Sequence, residues 1–151
     1  MVFIKDNIMR AKVGLFSDHG GYTLKQDLLN CASEYNFVDY GTNSADAVDY
    51  PDFANQAAQC LKDKTIQKAI LICGTGIGIC MAANRHSWVR AFVAHNITEV
   101  KLAREHNDAN TICFSGRYQT LDEVKIFIDT FLKTPFEGGR HARRVDIFSK
   151  I

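Results

Sequence analysis

Three alternating glycines separate Cys73 from the helical pattern that follows it. The segment Cys73–Gly78 reads Cys-Gly-Thr-Gly-Ile-Gly. Glycines at this spacing let backbone N–H groups turn toward one point at the positive end of the next helix, a geometry that binds a phosphate or an oxyanion formed during a reaction. The loop is not a nucleotide P-loop, because no Gly-Lys-Ser/Thr follows, and His95 stands where a dinucleotide site needs an acidic residue. A tight turn without a ligand is the alternative, which the glycine pattern disfavours.

Two side chains could move protons. A cysteine that ends an apolar strand, as Cys73 does, is most often a small buried residue, but the helix expected to begin beside it would favour the reactive thiolate. His106 and Asn107 lie between a helical pattern and a strand pattern. They suit acid–base chemistry, or equally a helix C-terminus where a histidine complements the dipole.

A basic cluster near the C-terminus offers a second place for an anion. Arg140 and Arg144 are four residues apart, so on a helix they share a face and could clamp one phosphate from two sides. A solvated basic tail is the ordinary alternative. Lys and Arg total 18 against 17 Asp and Glu, and the resulting net charge of +1 argues against nucleic-acid binding.

Composition excludes several other classes of protein. Apolar runs such as Ala69–Cys73 have five residues, far below the ~20 that span a bilayer, so no membrane segment is predicted. The five cysteines are odd in number and form no C-x-x-C, which favours free thiols in a cytoplasmic protein. The five histidines show no metal-site spacing, so neither a metal nor another cofactor is predicted.

Strand and helix patterns alternate along most of the chain. Helical patterns with apolar faces separate five strand candidates: Lys12–Ser17, Phe37–Tyr40, Ala69–Cys73, Val89–His95 and Thr111–Ser115. The alternation predicts one three-layer α/β/α domain over residues 1–151, Rossmann-like, with a five-stranded, mainly parallel sheet. Residues 1–11 form a variable lead-in, and residues 135–151 form a basic arm outside the alternation.

Parallel sheets bind ligands beyond the carboxyl ends of their strands, and the unusual residues follow strands in that way. Asp18 and His19 follow the first strand, the glycine loop follows the third, and Arg117 follows the fifth. These residues predict a site for a small, phosphorylated ligand, without naming a reaction.

Seven motifs together resemble one enzyme family, ribose-5-phosphate isomerase B, which belongs with the sugar-phosphate isomerases that include the galactose-6-phosphate isomerase subunits. The motifs are Asp18–Gly21, Gly41–Thr42, Val48–Pro51, Leu71–Gly78, Ala82–Asn84, Arg104–Asp108 and Glu137–Val145. The resemblance covers about residues 12 to 146. It implies reversible interconversion of D-ribose 5-phosphate and D-ribulose 5-phosphate in the non-oxidative pentose phosphate pathway, without metal or nucleotide.

The resemblance also implies a role for each site residue. Cys73 matches the base that carries a proton between C2 and C1 of an enediolate, and Ile79 stands where some members carry an alternative glutamate. The oxyanion loop is Gly74, Thr75, Gly76, Ile77 and Gly78, with the Thr75 hydroxyl assisting catalysis. His106 matches the histidine that opens the furanose ring, and Asp18 contacts the same end of the sugar. The remaining substrate contacts are Asn107 and, at the phosphate, His19, Arg117, Arg140 and Arg144.

Quaternary structure and two alternative functions complete the hypothesis. The resemblance implies a homodimer or a dimer of dimers, in which His106 and the arm reach the partner's Cys73 loop. A galactose-6-phosphate isomerase subunit is the nearest alternative, but we expect such a subunit to lack one or more of Cys73, His106 and the arginines. A non-catalytic sugar-phosphate sensor would have no need of Cys73 together with His106.

Overall fold

The computed structural model describes residues 11–31 and 35–151. Residues 1–10 of the predicted lead-in lie outside the described residues. Within the described ranges, every helix is too short or too polar to cross a lipid bilayer.

Five parallel strands form the sheet. They are β1 (Val13–Ser17), β2 (Phe37–Asp39), β3 (Lys68–Cys73), β4 (Ala91–Val93) and β5 (Thr111–Ser115), in the order β2-β1-β3-β5-β4. Every pairing is parallel, so the predicted sheet is confirmed and its arrangement is stricter than "mainly parallel". The central strand β3 is buried from Ala69 to Cys73, as expected when helices cover both faces of a sheet.

The strand predicted at Val89–His95 is wrong in its extent, because only Ala91–Val93 pairs with β5. Before this strand, a turn and a side chain take two backbone N–H groups. The Val89 N–H donates to the His86 carbonyl, and the Arg90 N–H donates to the Asn110 side chain. A short edge strand results.

Six helices and one 3₁₀ turn accompany the strands in the described part of the chain. The turn is His19–Gly21, and the helices are α1 (Tyr22–Cys31), α2 (Tyr50–Lys62), α3 (Ile77–Ala83), α4 (Ile97–Asn107), α5 (Leu121–Lys133) and α6 (Arg140–Phe148). The predicted capping box at α5 is present, with Thr120 and Glu123 bonded reciprocally. Helix α3 begins two residues before the predicted Ile79, directly after the left-handed Gly76.

Apolar side chains bury both faces of the sheet. On one face Ile70 and Ile72 of β3 pack with α1, α4 and α5, and on the other Ala69 and Leu71 pack with α2 and α3. Alternation along the strand assigns its side chains to these two layers, and both layers are fully buried in the middle of the sheet.

The predicted C-terminal arm is a helix that packs on its own chain. Helix α6 contacts α4, and His141 and Val145 are buried there. Gly138 and Gly139 have positive φ angles and reverse the chain before the helix. The arm is therefore a docked element rather than a flexible tail, and Arg140 and Arg144 lie on one helix as predicted.

Candidate active site

Loops that follow three neighbouring strands meet at the carboxyl edge of the sheet. Strand β3 lies between β1 and β5, with Cys73 paired to Ser115. A depression of about 390 Å³ opens there, lined by Asp18, His19, Gly20, Tyr50, Cys73, Gly74, Thr75, Ile77, Gly78 and Arg117. The sequence-predicted residues that follow β1, β3 and β5 therefore share one cavity.

The Cys73 sulfur is held at the base of the glycine loop. Its side chain is 4% exposed, and the Gly76 N–H donates to Sγ over 3.2 Å. Gly76 has φ +79°, a left-handed conformation from which the chain enters α3. The Ile77 N–H donates to Thr75 Oγ1 over 3.2 Å, which orders the exposed side of the loop. The loop thus places one backbone donor, the Gly76 N–H, against the thiol.

Asp18 is fixed by the turn that it caps. Its Oδ1 accepts hydrogen bonds from the Gly20 N–H at 2.9 Å and the Gly21 N–H at 3.2 Å, and the side chain is nearly buried. His19 Nδ1 lies 3.2 Å from the Val48 backbone. The carboxylate and the imidazole are therefore both positioned before any ligand binds.

Close approach of backbones brings Arg117 over the loop. A Cβ at Gly74 would lie 3.0 Å from the Arg117 Cζ, and a Cβ at Gly20 would lie 2.8 Å from the Gly74 nitrogen. The Gly74 carbonyl accepts from the Ser115 hydroxyl at 2.6 Å and from the Arg117 N–H at 3.3 Å. A side chain at Gly20 would collide with the Gly74 backbone, and a side chain at Gly74 would push the Arg117 guanidinium away from the loop.

Two buried thiols lie behind the loop. The Cys113 thiol hydrogen-bonds to Cys80, which lowers the pKa of Cys80, while burial raises the pKa of Cys113 well above its usual range. The sequence showed no such neighbour for Cys80. Ile79 is fully buried in the core, so its position carries no acid–base group.

A second group of predicted residues lies at the other end of the sheet. Helix α4 starts after β4 and returns to the beginning of β5, so His106 and Asn107 lie near the amino ends of the strands. The four residue steps from Thr111 to Ser115, at about 3.3 Å each, separate the two ends by roughly 13 Å. The structure therefore does not bring His106 and Asn107 to the Cys73 loop of the same chain.

Helix α6 joins this second group. The His106 and His141 rings stack with their centres 4.1 Å apart, and Glu137 Oε2 lies 3.9 Å from His106 Nε2 and 3.3 Å from His141 Nε2. Arg140 and Arg144 lie on the same helix as His141. His106 therefore packs against the helix that carries these two arginines.

Asp108 holds the end of α4 in place. It has φ +46°, and its carboxylate contacts Arg104 at 3.0 Å and Arg90 at 3.2 Å. Arg104 is nearly buried and also donates to the Ala109 carbonyl. Spacing along the chain does not reveal this bridge, and it does not reveal that Tyr50 lines the depression. Tyr50 precedes Pro51 at the start of α2, and its ring approaches Gly78.

The fold and the depression define a class of protein. It is a three-layer α/β protein with a glycine loop, a buried thiol and an arginine at the carboxyl edge of a parallel sheet. These three groups suit the binding and conversion of a small anionic substrate. Residues 13–148 match the family described as Ribose/Galactose Isomerase, and the chain belongs to that family.

Similar proteins agree with this membership. The probable ribose-5-phosphate isomerase B of Mycoplasma genitalium is 44% identical, over 91% of this chain and 93% of that protein. The ribose-5-phosphate isomerase B of Escherichia coli is 37% identical, over 93% and 95% of the two chains.

Solved structures of such enzymes have the same fold. The Clostridium thermocellum ribose-5-phosphate isomerase B has a TM-score of 0.88 and 42% identity, covering 92% of this chain and 95% of that one. The Mycoplasma genitalium enzyme, solved with bound ribulose 5-phosphate, has a TM-score of 0.86 and 42% identity, covering 94% and 96%.

Proposed function

We propose that this protein is an aldose–ketose isomerase that interconverts D-ribose 5-phosphate and D-ribulose 5-phosphate. The observation that carries the proposal is the Cys73 sulfur, 3.2 Å from the Gly76 N–H in a depression that Asp18 and Arg117 also line. A thiol, a donor loop and a guanidinium are the groups that proton transfer on a sugar phosphate needs. A relative of 42% identity has ribulose 5-phosphate bound.

The reaction needs one base and one oxyanion site. In the proposed mechanism the Cys73 thiolate removes the proton from C2 of the open-chain aldose and returns it to C1 of the enediolate. The hydroxyl proton moves between O2 and O1, so the aldose and the ketose differ only in the position of the carbonyl group. The N–H groups of Gly74–Gly78 and the Thr75 hydroxyl stabilise the charge that develops on oxygen. Arg117 and His19 bind the phosphate end.

Ring opening needs an acid–base group beyond Cys73, which carries the C1–C2 proton transfer, and beyond His19, which binds the phosphate. His106 fits that role chemically, but roughly 13 Å of strand length separates its end of the sheet from Cys73. We infer a homodimer in which His106, Asn107, Arg140 and Arg144 of one subunit complete the Cys73 site of the other.

Exposed apolar side chains beside the depression support this arrangement. Ile77 and Met81 are one helical turn apart on α3 and are 54% and 68% exposed, and Tyr118 after β5 is 78% exposed. Clustered apolar side chains of this kind mark surfaces that a partner covers. With its free thiols, the protein is proposed to act in the cytoplasm, in the non-oxidative pentose phosphate pathway.

A substrate comparison tests the reaction. The purified chain alone should isomerise ribose 5-phosphate in preference to allose 6-phosphate and galactose 6-phosphate, because all the proposed catalytic residues are in one sequence. Preference for galactose 6-phosphate, or activity only with a second subunit type, would instead identify a galactose-6-phosphate isomerase subunit. Binding of sugar phosphates without turnover would identify a sensor.

Complementation tests the shared site. Differently tagged Cys73→Ala and His106→Ala chains are co-expressed, and heterodimers are purified through both tags. If the site is shared, each heterodimer contains one site with both residues intact, so activity returns. Two differently tagged Cys73→Ala chains serve as the control and stay inactive. Isolated heterodimers that remain inactive would show that both residues serve the same chain.

A further inference from the structure

Three metal-ligating side chains meet where α6 packs against α4. His106 lies in the last turn of α4, Glu137 lies in the connecting segment, and His141 is in the first turn of α6. One ligand atom from each lies within 4.8 Å of the other two. His106 and Glu137 are partly solvent-accessible and His141 is nearly buried, so the cluster has both a fixed base and an open side.

The two histidine–glutamate separations are close to those around a zinc ion. Tetrahedral zinc with bonds of about 2.0–2.2 Å holds its ligand atoms roughly 3.3–3.5 Å apart. His141 Nε2 is 3.3 Å from Glu137 Oε2, and His106 Nε2 is 3.9 Å from the same oxygen. The His106 and His141 rings stack with 12° between their planes, so the partly exposed His106 ring has to rotate before its Nε2 and that of His141 can both point at one ion. Three protein ligands leave the fourth position of a tetrahedral site for water.

The backbone fixes the cluster independently of any ion. The Glu137 N–H donates to the Glu105 carbonyl at 3.0 Å, which ties the connecting segment to α4. Gly138 and Gly139 then turn the chain with positive φ, and the His141 N–H donates to the Gly138 carbonyl at 3.1 Å. This turn places residues 137 and 141 side by side. Most of the conformational entropy that ion binding would cost at these two residues is therefore already lost when the protein folds.

We propose that His106, Glu137 and His141 form a binding site for a divalent transition-metal ion of the zinc type, and that an ion bound there inhibits the isomerase. The inhibitory part rests on the proposed function. Zinc on Nε2 of His106 occupies the lone pair that would accept a proton, so the ring-opening step is blocked while the ion is bound. The ion is an inhibitor and has no part in the reaction.

The ligand set and its surroundings select the class of ion. Two imidazoles suit zinc, nickel or copper, whereas magnesium and calcium require oxygen ligands. Arg140, Arg143 and Arg144 follow Glu137 closely and oppose a cation held by charge alone. Imidazole nitrogen bonds, rather than local negative charge, therefore carry the affinity.

Zinc titration against a competing chelator tests binding in the full-length protein. Wild type should bind zinc but not magnesium, and Glu137→Gln and His141→Gln should each weaken zinc binding by about 10–100-fold or more, since ligand loss exceeds the effect of losing a supporting hydrogen bond. His95→Gln is the matched control, because His95 is an exposed histidine 3.5 Å from Glu99 with no third ligand among the described residues. Its zinc affinity should equal that of wild type.

Cysteines are the competing ligands, and cobalt distinguishes them. Cobalt bound to thiolates gives a near-ultraviolet charge-transfer band, whereas binding at the proposed site gives only the visible bands of a nitrogen–oxygen site. Absence of zinc binding in the micromolar range, a thiolate band, or equal binding by Glu137→Gln, His141→Gln and wild type would each overturn the site. Thermal unfolding of both variants verifies that they are folded.

Inhibition is measured separately from binding. Zinc should slow isomerisation of ribose 5-phosphate by wild type and His95→Gln at the concentrations that fill the site, and a chelator should restore the rate. Glu137→Gln should need at least tenfold more zinc for the same fractional loss of its own activity. Equal sensitivity would overturn the inhibitory part. A protein that binds zinc through these residues but isomerises no sugar phosphate would overturn the proposed function and leave the metal site standing.

Discussion

Gly76 is the position where one methyl group should damage the loop most. Its φ of +79° is left-handed, and a Cβ built there would lie 2.9 Å from the Phe114 carbonyl carbon and 3.0 Å from its oxygen. Phe114 is fully buried in β5, so this backbone cannot move aside. Gly76→Ala therefore combines about 1–2 kcal/mol of left-handed strain with about 1–3 kcal/mol of overpacking, or roughly 2–5 kcal/mol together.

Gly138→Ala separates these two contributions. Gly138 also has a left-handed φ, +68°, but no described atom lies within 4 Å of a Cβ built there. It should lose only the strain, about 1–2 kcal/mol. Urea unfolding of both variants and wild type measures their free energies of unfolding. We expect Gly138→Ala to be more stable than Gly76→Ala by at least about 1 kcal/mol.

The outcome that refutes this reasoning is clear. If Gly76→Ala unfolds at the same urea concentration as Gly138→Ala, the contact with Phe114 contributes nothing and the loop is not held against β5. Gly76→Ala should also slow turnover, because displacing the Gly76 N–H removes the donor to Cys73 Sγ. Normal turnover would show that this hydrogen bond has no role in the reaction.

Three further substitutions have defined outcomes. Cys73→Ser should abolish exchange of the substrate C2 hydrogen with solvent while retaining ligand binding, because a hydroxyl is a far weaker acid than a thiol; near-normal exchange would point to another base. Lys68→Met tests a pKa that burial, together with Arg104 and Arg90, lowers from 10.5 to about 8. Because the unfolded state binds more protons between these values, wild-type stability should rise relative to the variant from about pH 8 to 10.5 in urea unfolding, and a constant difference would contradict the shift. Asp108→Asn keeps a residue that tolerates positive φ but loses both ion pairs, so it should destabilise the protein by about 1–3 kcal/mol; equal urea midpoints would contradict this.

Much of the fold could be predicted because its signals are local. The alternation of apolar strands and amphipathic helices specified five strands and the helices between them, and the continuous apolar run ending at Cys73 identified the central strand. The capping box at Thr120 and Glu123 is recognised from a pattern of four consecutive residues, and the structure contains it. The glycine loop was equally visible, since its conformation is set by residue types within one turn.

Parts of the structure that depend on distant residues could not be read in this way. The hydrogen bond from the Arg90 N–H just before β4 goes to the Asn110 side chain, and the docking of α6 depends on His141 meeting the ring of His106. The pairing of Cys80 with Cys113 likewise joins a helix to a strand 33 positions later. None of these partners is fixed by spacing along the chain.

The sequence by itself determined which side chains are equipped for chemistry, and the tertiary structure decided which of them share a cavity. Asp18, Cys73 and Arg117 each follow a parallel strand, so their positions at one edge were predictable from topology. His106 lies in the last turn of α4, which runs back along the sheet, and the length of the strands separates it from that edge. Two parallel strands require such a return crossover, and the end of the crossover therefore lies at the amino ends of the strands.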